Sequence, residues 1–214
     1  MRALAMTPIH LPPEEIRRRQ DRYDRLAPPG LAVELRDVGP AAPRALDDEP
    51  SIRASERAVA AALDRAGGGW DVAFPDCVLD PAVPDGPGPA AEPGVPVNGL
   101  LKLSSMHLAA KNIPFGAVVR NEAIGAELGR RLRAYGLDAW VAGVAVMDLP
   151  FDAIADTGAW NAALGEAVDA LAAAGAAAVI NGCSAVDVEE SRLKAPVVDP
   201  TALALRLMPI GTST

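Results

Sequence analysis

The two cysteines of this 214-residue chain follow similar stretches of sequence. Cys77 comes after the run Asp-Val-Ala-Phe-Pro-Asp (71–76), and Cys183 comes after Ala-Ala-Val-Ile-Asn-Gly (177–182). Each run predicts a short buried strand that ends in a turn, which places each thiol just beyond a strand. A thiolate is a competent base, with an unperturbed pKa of about 8.5. Two thiols on opposite sides of one carbon could therefore remove a proton from one face and deliver one to the other.

Two other interpretations of the cysteines compete with this one. They could be inert core thiols, or they could form a disulfide. The chain lacks the apolar start of a signal peptide and any run of roughly 20 apolar residues, which predicts a cytoplasmic protein with free thiols. The cysteines lie 106 residues apart, close to half the chain, and this symmetric placement favours the catalytic interpretation.

Composition argues against several functional classes. A net charge of −8 disfavours nucleic acid or an anionic membrane as partner, and an aromatic content of 4% disfavours base stacking. His10 and His107 have no cluster of acids or cysteines at ligand spacing, so no metal site is predicted. The glycines at 67–69 precede a strand and lack the phosphate-binding lysine. The expected partner is a small-molecule substrate, with no cofactor.

The pattern strand, helix, strand, helix, strand, cysteine occurs twice. In the first half, the helix after Pro12-Pro13 carries Ile16, Tyr23 and Leu26 on its apolar face and arginines at 17, 18, 19 and 22 on its other faces. Ser51 is the predicted N-cap of the next helix. The predicted strands are 3–9, 31–38, 70–74, 115–119, 140–147 and 176–180, and the predicted helices are 13–28, 51–66, 99–111, 121–135, 160–174 and 184–190, with a loop over 81–96.

This alternation predicts an α/β protein made of two similar halves with mostly parallel sheets, related by a pseudo-twofold axis. The predicted halves are 1–96, which carries Cys77, and 97–214, which carries Cys183, with the C-terminus returning to the first half. Ligands of parallel sheets bind beyond the carboxyl ends of the strands. The active site is therefore expected in the cleft between the halves, with the two cysteines facing each other.

Three stretches carry a resemblance to a known family. They are Cys77-Val-Leu-Asp80-Pro81, the segment 95–109 with the strand 115–119, and Asn181-Gly-Cys183 with the segment 195–200. They resemble the first-cysteine signature, the central segment and the second-cysteine segment of the aspartate/glutamate/hydantoin racemase superfamily, in its hydantoin and allantoin racemase branch. The resemblance implies a cofactor-independent racemase or epimerase that forms homo-oligomers and uses Cys77 and Cys183 as its acid/base pair alpha to a carbonyl.

Several positions expected to contact the substrate depart from the family pattern. Thr-Pro-Ile-His (7–10) replaces Asn-Pro-Asn-Thr, Arg120 follows the fourth strand where threonine is usual, and Ser-Ala-Val (184–186) replaces Ala-Gly-Met. Ser104-Ser105 stand in place of Glu-Ala. The reaction type should therefore transfer better than the substrate, for which we expect a small polar amide, ureide or carboxylate.

An enolate-like intermediate needs fixed donors, and the candidates are the backbone N–H groups after each cysteine and nearby hydroxyls. A helix opening at Ser184 would lower the pKa of Cys183. Arg120 is either a bidentate ligand for a carboxylate or a solvated residue at a helix start. His10 is expected to line the cleft, and Asp80 to shape its loop. The residues predicted to contact the substrate are Thr7, His10, Val78, Ser104, Arg120, Gly182 and Ser184.

Alternatives to racemisation stay open. The same superfamily suggests isomerisation of an unsaturated diacid, or decarboxylation of a malonate, which characteristically relies on one cysteine at the second position. A ligand-binding sensor that keeps the fold without turnover is a candidate from a different class.

Overall fold

A computed structural model describes residues 1–86, 94–189 and 193–210. Within these residues, strands and helices alternate along the chain, together with short 3₁₀ turns at Asp138–Trp140 and Phe151–Ile154. The elements are β1 (Arg2–Met6), α1 (Pro13–Leu26), β2 (Ala32–Arg36), α2 (Glu49–Asp64), β3 (Val72–Pro75), α3 (Leu100–Ala110), β4 (Phe115–Val119), α4 (Glu122–Ala134), β5 (Val141–Val146), α5 (Thr157–Ala173), β6 (Ala178–Asn181), β7 (Val197–Val198) and α6 (Pro200–Leu207).

The strands form two parallel sheets with the same internal order. The first sheet is arranged β2-β1-β3, and the second is arranged β5-β4-β6-β7. In each sheet the earliest strand lies inside the sheet, with the next strand on one side of it and the third on the other. These three strands are parallel, so the chain must cross over between successive ones, and helices make these connections. The predicted α/β class and the parallel sheets are confirmed. The division at residue 96 stays a prediction, although Ala204 and Leu205 of α6 pack in one cluster with Ala3 and Phe74 of the first sheet.

The core explains why strands β3, β4 and β6 carry few polar residues. Every residue of β3, β4 and β6 is buried, as expected for strands covered on both faces. One apolar cluster contains Ile9 and Cys77 from the first half together with Phe115 and Ile180 from the second. The loop that carries Cys77 therefore packs in one apolar cluster with strands β4 and β6 of the second sheet. No helix among the described residues is both long and apolar enough to cross a membrane.

Two predicted helix starts are wrong. Helix α2 begins at Glu49, and its N-cap is Asp48, whose carboxylate accepts a hydrogen bond from the Ser51 backbone N–H at 2.8 Å. Ser51 is the third helical residue, and its hydroxyl completes a capping box. The helix expected over 184–190 does not form, because described residues 184–189 make only turns and irregular backbone. Cys183 therefore does not lie at a helix N-terminus.

The arginines of α1 also differ from the prediction. Arg19 and Arg22, expected on polar faces, are only 4% and 3% exposed. Burial of these charges is tolerated because each is paired: Arg19 binds Asp76, and Arg22 binds Asp187 and Asp199. Helix α1 thus uses charged side chains to attach itself to the loops that follow β3 and β6.

Candidate active site

Both cysteines line one cavity of about 60 Å³. Cys77 follows β3 of the first sheet, and Cys183 follows β6 of the second, as the two halves of the sequence pattern predict. Cys77 is 7% exposed, Cys183 is half-buried, and neither forms a disulfide. The thiols therefore reach the same small space from two different sheets.

Short contacts hold the two cysteine loops against each other. The Ser184 hydroxyl donates to the backbone carbonyl of Asp76 at 2.9 Å, which links the second loop to the first. The Gly182 N–H donates to the Val118 carbonyl at 2.7 Å. A Cβ atom at Gly182 would lie 2.2 Å from that carbonyl oxygen, so only glycine permits this approach. The position of Cys183 is therefore fixed by backbone packing on β4.

The two sulfurs have equivalent backbone donors. In each loop the donor is the backbone N–H two residues after the cysteine. The Leu79 N–H lies 3.4 Å from Cys77 Sγ, and the Ala185 N–H makes the corresponding contact with Cys183. The N–H groups of Val78 and Ser184, which directly follow the cysteines, have no hydrogen-bond partner within the part of the chain that the structure describes. Both of these residues line the cavity. Each loop thus supplies one donor to its sulfur and leaves one free donor.

Burial raises the pKa of the Cys77 thiol to about 12. The hydrogen bond from Leu79 opposes this shift, whereas the negative charges of Asp76 and Asp80 add to it. A thiolate at Cys183 raises the pKa of Cys77 further, because two like charges in one small cavity repel. Ionisation of one thiol therefore favours the protonated form of the other.

Burial also raises the pKa of Cys183, which contradicts the expectation that a helix N-terminus lowers it. Three groups oppose the rise, namely the Ala185 N–H and the guanidinium groups of Arg19 and Arg22, while the charge of Asp76 supports it. Positive charge consequently lies close to Cys183, whereas Cys77 has acids on both sides of it in sequence. The environments of the two thiols are alike in geometry but unlike in charge.

A buried polar network next to the cysteines was missed by the sequence analysis. The Asp76 carboxylate accepts hydrogen bonds from Arg19 at 2.9 Å and from the Tyr23 hydroxyl at 2.7 Å. Burial by itself would lower the pKa of Arg19, but the charges of Asp76 and Glu15 outweigh it and raise that pKa. The arginine is therefore held as a cation at the cavity wall. In the sequence, the one indication of this network is that Asp76 directly precedes Cys77.

Asp80 has the structural role that the sequence suggested. It is fully buried, its backbone φ is +49°, and its carboxylate accepts hydrogen bonds from the N–H groups of Leu101 and Lys102 at the start of α3 and from Tyr135. Burial raises the pKa of Asp80 to about 6 in spite of these bonds. A side chain on Gly99 would collide with the carboxylate, since its Cβ would lie 2.2 Å from Oδ2.

Arg120 lines the cavity, but in neither of the two ways predicted. It is 5% exposed, so it is not a solvated residue. Its Nη1 donates to the Leu149 carbonyl at 3.3 Å, and its Nη2 donates to the Leu46 carbonyl at 3.2 Å and to Asp47 at 2.5 Å. The terminal nitrogens needed to hold a carboxylate bidentately are therefore already occupied. The guanidinium carbon lies 5.7 Å from the centre of the Phe151 ring.

Three predicted contact residues do not line the cavity. Thr7 and His10 both bind Asp37 instead, with the Thr7 hydroxyl 3.2 Å and His10 Nδ1 2.7 Å from its carboxylate oxygens. Ser104 is buried on α3, where its hydroxyl donates to the Pro200 carbonyl at 3.3 Å. These hydrogen bonds to residues distant in sequence account for all three positions. The structure brings Val78, Arg120, Gly182 and Ser184 to the cavity with the two cysteines.

Much of the remaining cavity wall is hydrocarbon, supplied by loops that gave no sequence signal. Leu46 comes from the loop before α2, and Phe151 and Ile154 come from the 3₁₀ turn before α5. The other lining residues that the sequence analysis did not identify are Pro8, Ile9, Arg19, Asp76, Leu79, Ile124 and Ala185. Among the described residues, no group of three or more His, Cys, Asp or Glu side chains is arranged to hold a metal ion.

Comparison with known proteins gives matches in structure but not in sequence. No family model matches the chain, and no curated protein matches its sequence. The fold matches allantoin racemase from Pseudomonas fluorescens with a TM-score of 0.80 and 18% identity, over 97% of this chain and 88% of that one. Allantoin racemase from Klebsiella pneumoniae matches with a TM-score of 0.75 and 19% identity, over 97% and 85% of the two chains. Arylmalonate decarboxylase matches with a TM-score of 0.57 and 16% identity, over 99% and 94%.

These matches confirm the predicted resemblance at the level of fold. The chain shares its fold with these enzymes, and it superposes better on the two allantoin racemases than on the decarboxylase. Identities below 20% leave the reaction and the substrate to be argued from the site itself.

Proposed function

We propose that the protein is a cofactor-independent racemase or epimerase in which Cys77 and Cys183 exchange a proton with a carbon alpha to a carbonyl. The observation that carries this proposal is that two free thiols, one from each parallel sheet, line the same cavity. A racemase needs an acid and a base on opposite faces of one carbon, and this arrangement can supply both. The shared fold with allantoin racemases supports the same reaction class.

The mechanism follows from the groups around the cavity. One thiolate removes the α-proton, negative charge develops on the substrate's carbonyl oxygen, and the opposite thiol protonates the other face. The free N–H groups of Val78 and Ser184 are the donors best placed to stabilise that oxygen, because they lie directly beside the two sulfurs. The thiols then have exchanged protonation states, and the reverse reaction uses them in opposite roles.

The charges around the thiols favour Cys183 as the base in the resting protein. Arg19 and Arg22 stabilise its thiolate, whereas Asp76 and Asp80 oppose a thiolate at Cys77. Repulsion between the two sulfurs keeps the second thiol protonated once the first is ionised. Of the two thiols, Cys183 is therefore the one that ionises more readily, and we expect faster deprotonation of the substrate enantiomer whose α-proton faces Cys183.

The size and the lining of the cavity limit which substrates it can hold. Its volume of about 60 Å³ is small beside the roughly 300–1,000 Å³ of ordinary ligand pockets, which favours a compact substrate. The hydrocarbon of Leu46, Phe151 and Ile154 lies at its wall. A small α-substituted cyclic amide or ureide fits these limits better than an extended or highly charged molecule.

Loss of optical rotation tests the proposal. Single enantiomers of hydantoins, ureides and α-substituted acids are incubated with wild type, Cys77→Ser and Cys183→Ser. Two-base racemisation predicts that wild type racemises at least one compound and that both variants lose at least about 10³-fold in kcat/KM. Decarboxylation of a malonate by wild type, with Cys77→Ser largely active and Cys183→Ser inactive, would support the decarboxylase alternative. Binding without turnover by all three proteins would support the sensor alternative.

A further inference from the structure

Arg120 carries a buried hydrogen-bond donor that the protein itself does not use. Its Nη1 and Nη2 atoms bind loop carbonyls and Asp47, but its Nε–H has no partner within the described part of the chain. The side chain is 6% exposed and lines the cavity that contains both cysteines. A buried donor without an acceptor is costly, and a ligand that offers one acceptor oxygen would remove that cost. Arg120 therefore offers a substrate one hydrogen bond.

The charge of Arg120 is already compensated. Asp47 lies 2.5 Å from Nη2, and the Phe151 ring covers the guanidinium at 5.7 Å. The second arginine at the cavity wall, Arg19, is compensated by Asp76 and Glu15. A carboxylate entering the cavity would exchange its hydration for a wall of hydrocarbon and neutralised ion pairs. An uncharged carbonyl would lose much less hydration and needs only one donor, which the Nε–H of Arg120 can supply.

We propose that Arg120 determines specificity by donating its Nε–H to an uncharged carbonyl oxygen of the substrate, so that cyclic imides and ureides are accepted and carboxylates are rejected. This inference rests on the proposed function only in taking the cysteine-lined cavity as the substrate site. Asp47 has a matching role as a positioning residue, since it neutralises the guanidinium without reaching the substrate. Removal of its charge should convert the same arginine into a carboxylate-binding group.

Binding calorimetry with two compact probes tests the inference. The probes are 5-methylhydantoin, which is uncharged at neutral pH, and methylmalonate, which is a dianion. For wild type we expect binding of the hydantoin and little or no binding of methylmalonate. Arg120→Met should weaken hydantoin binding about 10- to 100-fold, the range expected for one hydrogen bond from a charged donor. Asp47→Asn should strengthen methylmalonate binding at least about tenfold, which shifts the ratio of the two affinities toward methylmalonate.

Asp85→Asn is the matched control. Asp85 is also a half-exposed acid paired with a buried arginine, since its carboxylate lies 2.9 Å from Arg131, but neither residue lines the cysteine cavity. This variant should change neither affinity. Hydantoin binding that is unaffected by Arg120→Met, wild-type preference for methylmalonate, or no binding of either probe to wild type would each overturn the inference.

The exposed position of Asp47 keeps the test decisive if Arg120→Met does not fold, because an Asp47→Asn protein that still rejects methylmalonate also contradicts the inference. Racemisation by wild type that depends on both cysteines would leave the proposed function standing in any of these cases. The two proposals therefore fail separately.

Discussion

Replacement of Asp76 by asparagine should affect both the stability of the protein and the acidity of its thiols. The Asp76 and Arg19 side chains are only 1% and 5% exposed, and they form an ion pair at 2.9 Å. Removing one partner of a buried pair typically costs about 3–5 kcal/mol, because a buried charge is left without compensation. Glu15 still contacts Arg19 in the variant, so we expect a loss near the lower end, about 3 kcal/mol.

The second effect of Asp76→Asn is a change in the reactivity of the cysteines. The charge of Asp76 raises the pKa of both Cys77 and Cys183, so its removal should lower both values. Urea denaturation measures the stability, and the pH dependence of iodoacetamide alkylation, followed at each cysteine by mass spectrometry, measures the acidity. In the variant, alkylation of both thiols should begin at lower pH than in wild type.

Glu15→Gln is the control for this experiment. Glu15 also pairs with Arg19, but its side chain is 18% exposed and it does not line the cavity that contains the cysteines. The control should lose about 1 kcal/mol or less and keep the wild-type alkylation profile. The electrostatic account is refuted if Asp76→Asn and Glu15→Gln have the same stability and alkylate with the same pH dependence.

Two further changes test the loops that position the site. Gly182→Ala places a methyl group 2.2 Å from the Val118 carbonyl oxygen, and it should cost at least about 1–3 kcal/mol of stability in urea denaturation together with most of the catalytic activity. The control is Gly129→Ala, whose new Cβ meets only the end of the Arg133 side chain at 3.5 Å and which should stabilise α4 by up to about 1 kcal/mol. Equal effects of the two changes would contradict the packing argument. Asp80 has a pKa raised from 3.8 to about 6, so the folded state keeps its proton where the unfolded state has lost it. Wild-type stability should therefore fall by roughly 2 kcal/mol relative to Asp80→Asn between pH 4 and pH 7. Parallel stability curves for wild type and Asp80→Asn over that range would show that the carboxyl is not shifted.

The sequence predicted the secondary structure best where periodicity and end signals agreed. The strand predicted at 115–119 has those bounds in the structure, and the helix after it is capped by Asn121, as its sequence indicates. Asp48 was overlooked as the cap of α2 because Ser51, three residues later, is an equally good capping type, and only the fold decides which one precedes the first turn. The predicted loop over 81–96 is described only at 81–86 and 94–96, so the part at 87–93 lies outside the described residues.

The candidate site was predictable only in part, for a physical reason. The position of Cys77 and Cys183 follows from local patterns, because each thiol comes directly after a buried strand. The roles of Arg19 and Arg120 do not, since they depend on partners such as Asp76 and Asp47 that are more than 50 residues away in sequence. A local pattern cannot distinguish a charged side chain in water from one buried against a distant acid.

Solvent deuterium incorporation tests the two-base mechanism most directly. A single enantiomer of a substrate is incubated in deuterated water, and the position and configuration of the label are read by NMR and chiral chromatography. For wild type, the account predicts that the first product molecules have inverted configuration and carry deuterium at the α-carbon. Cys77→Ser should at most exchange the proton with retention in the enantiomer that faces Cys183, and Cys183→Ser should do so in the opposite enantiomer. Racemisation at near wild-type rate by either single variant, or inversion without deuterium, would contradict the assignment of Cys77 and Cys183 as paired acid and base.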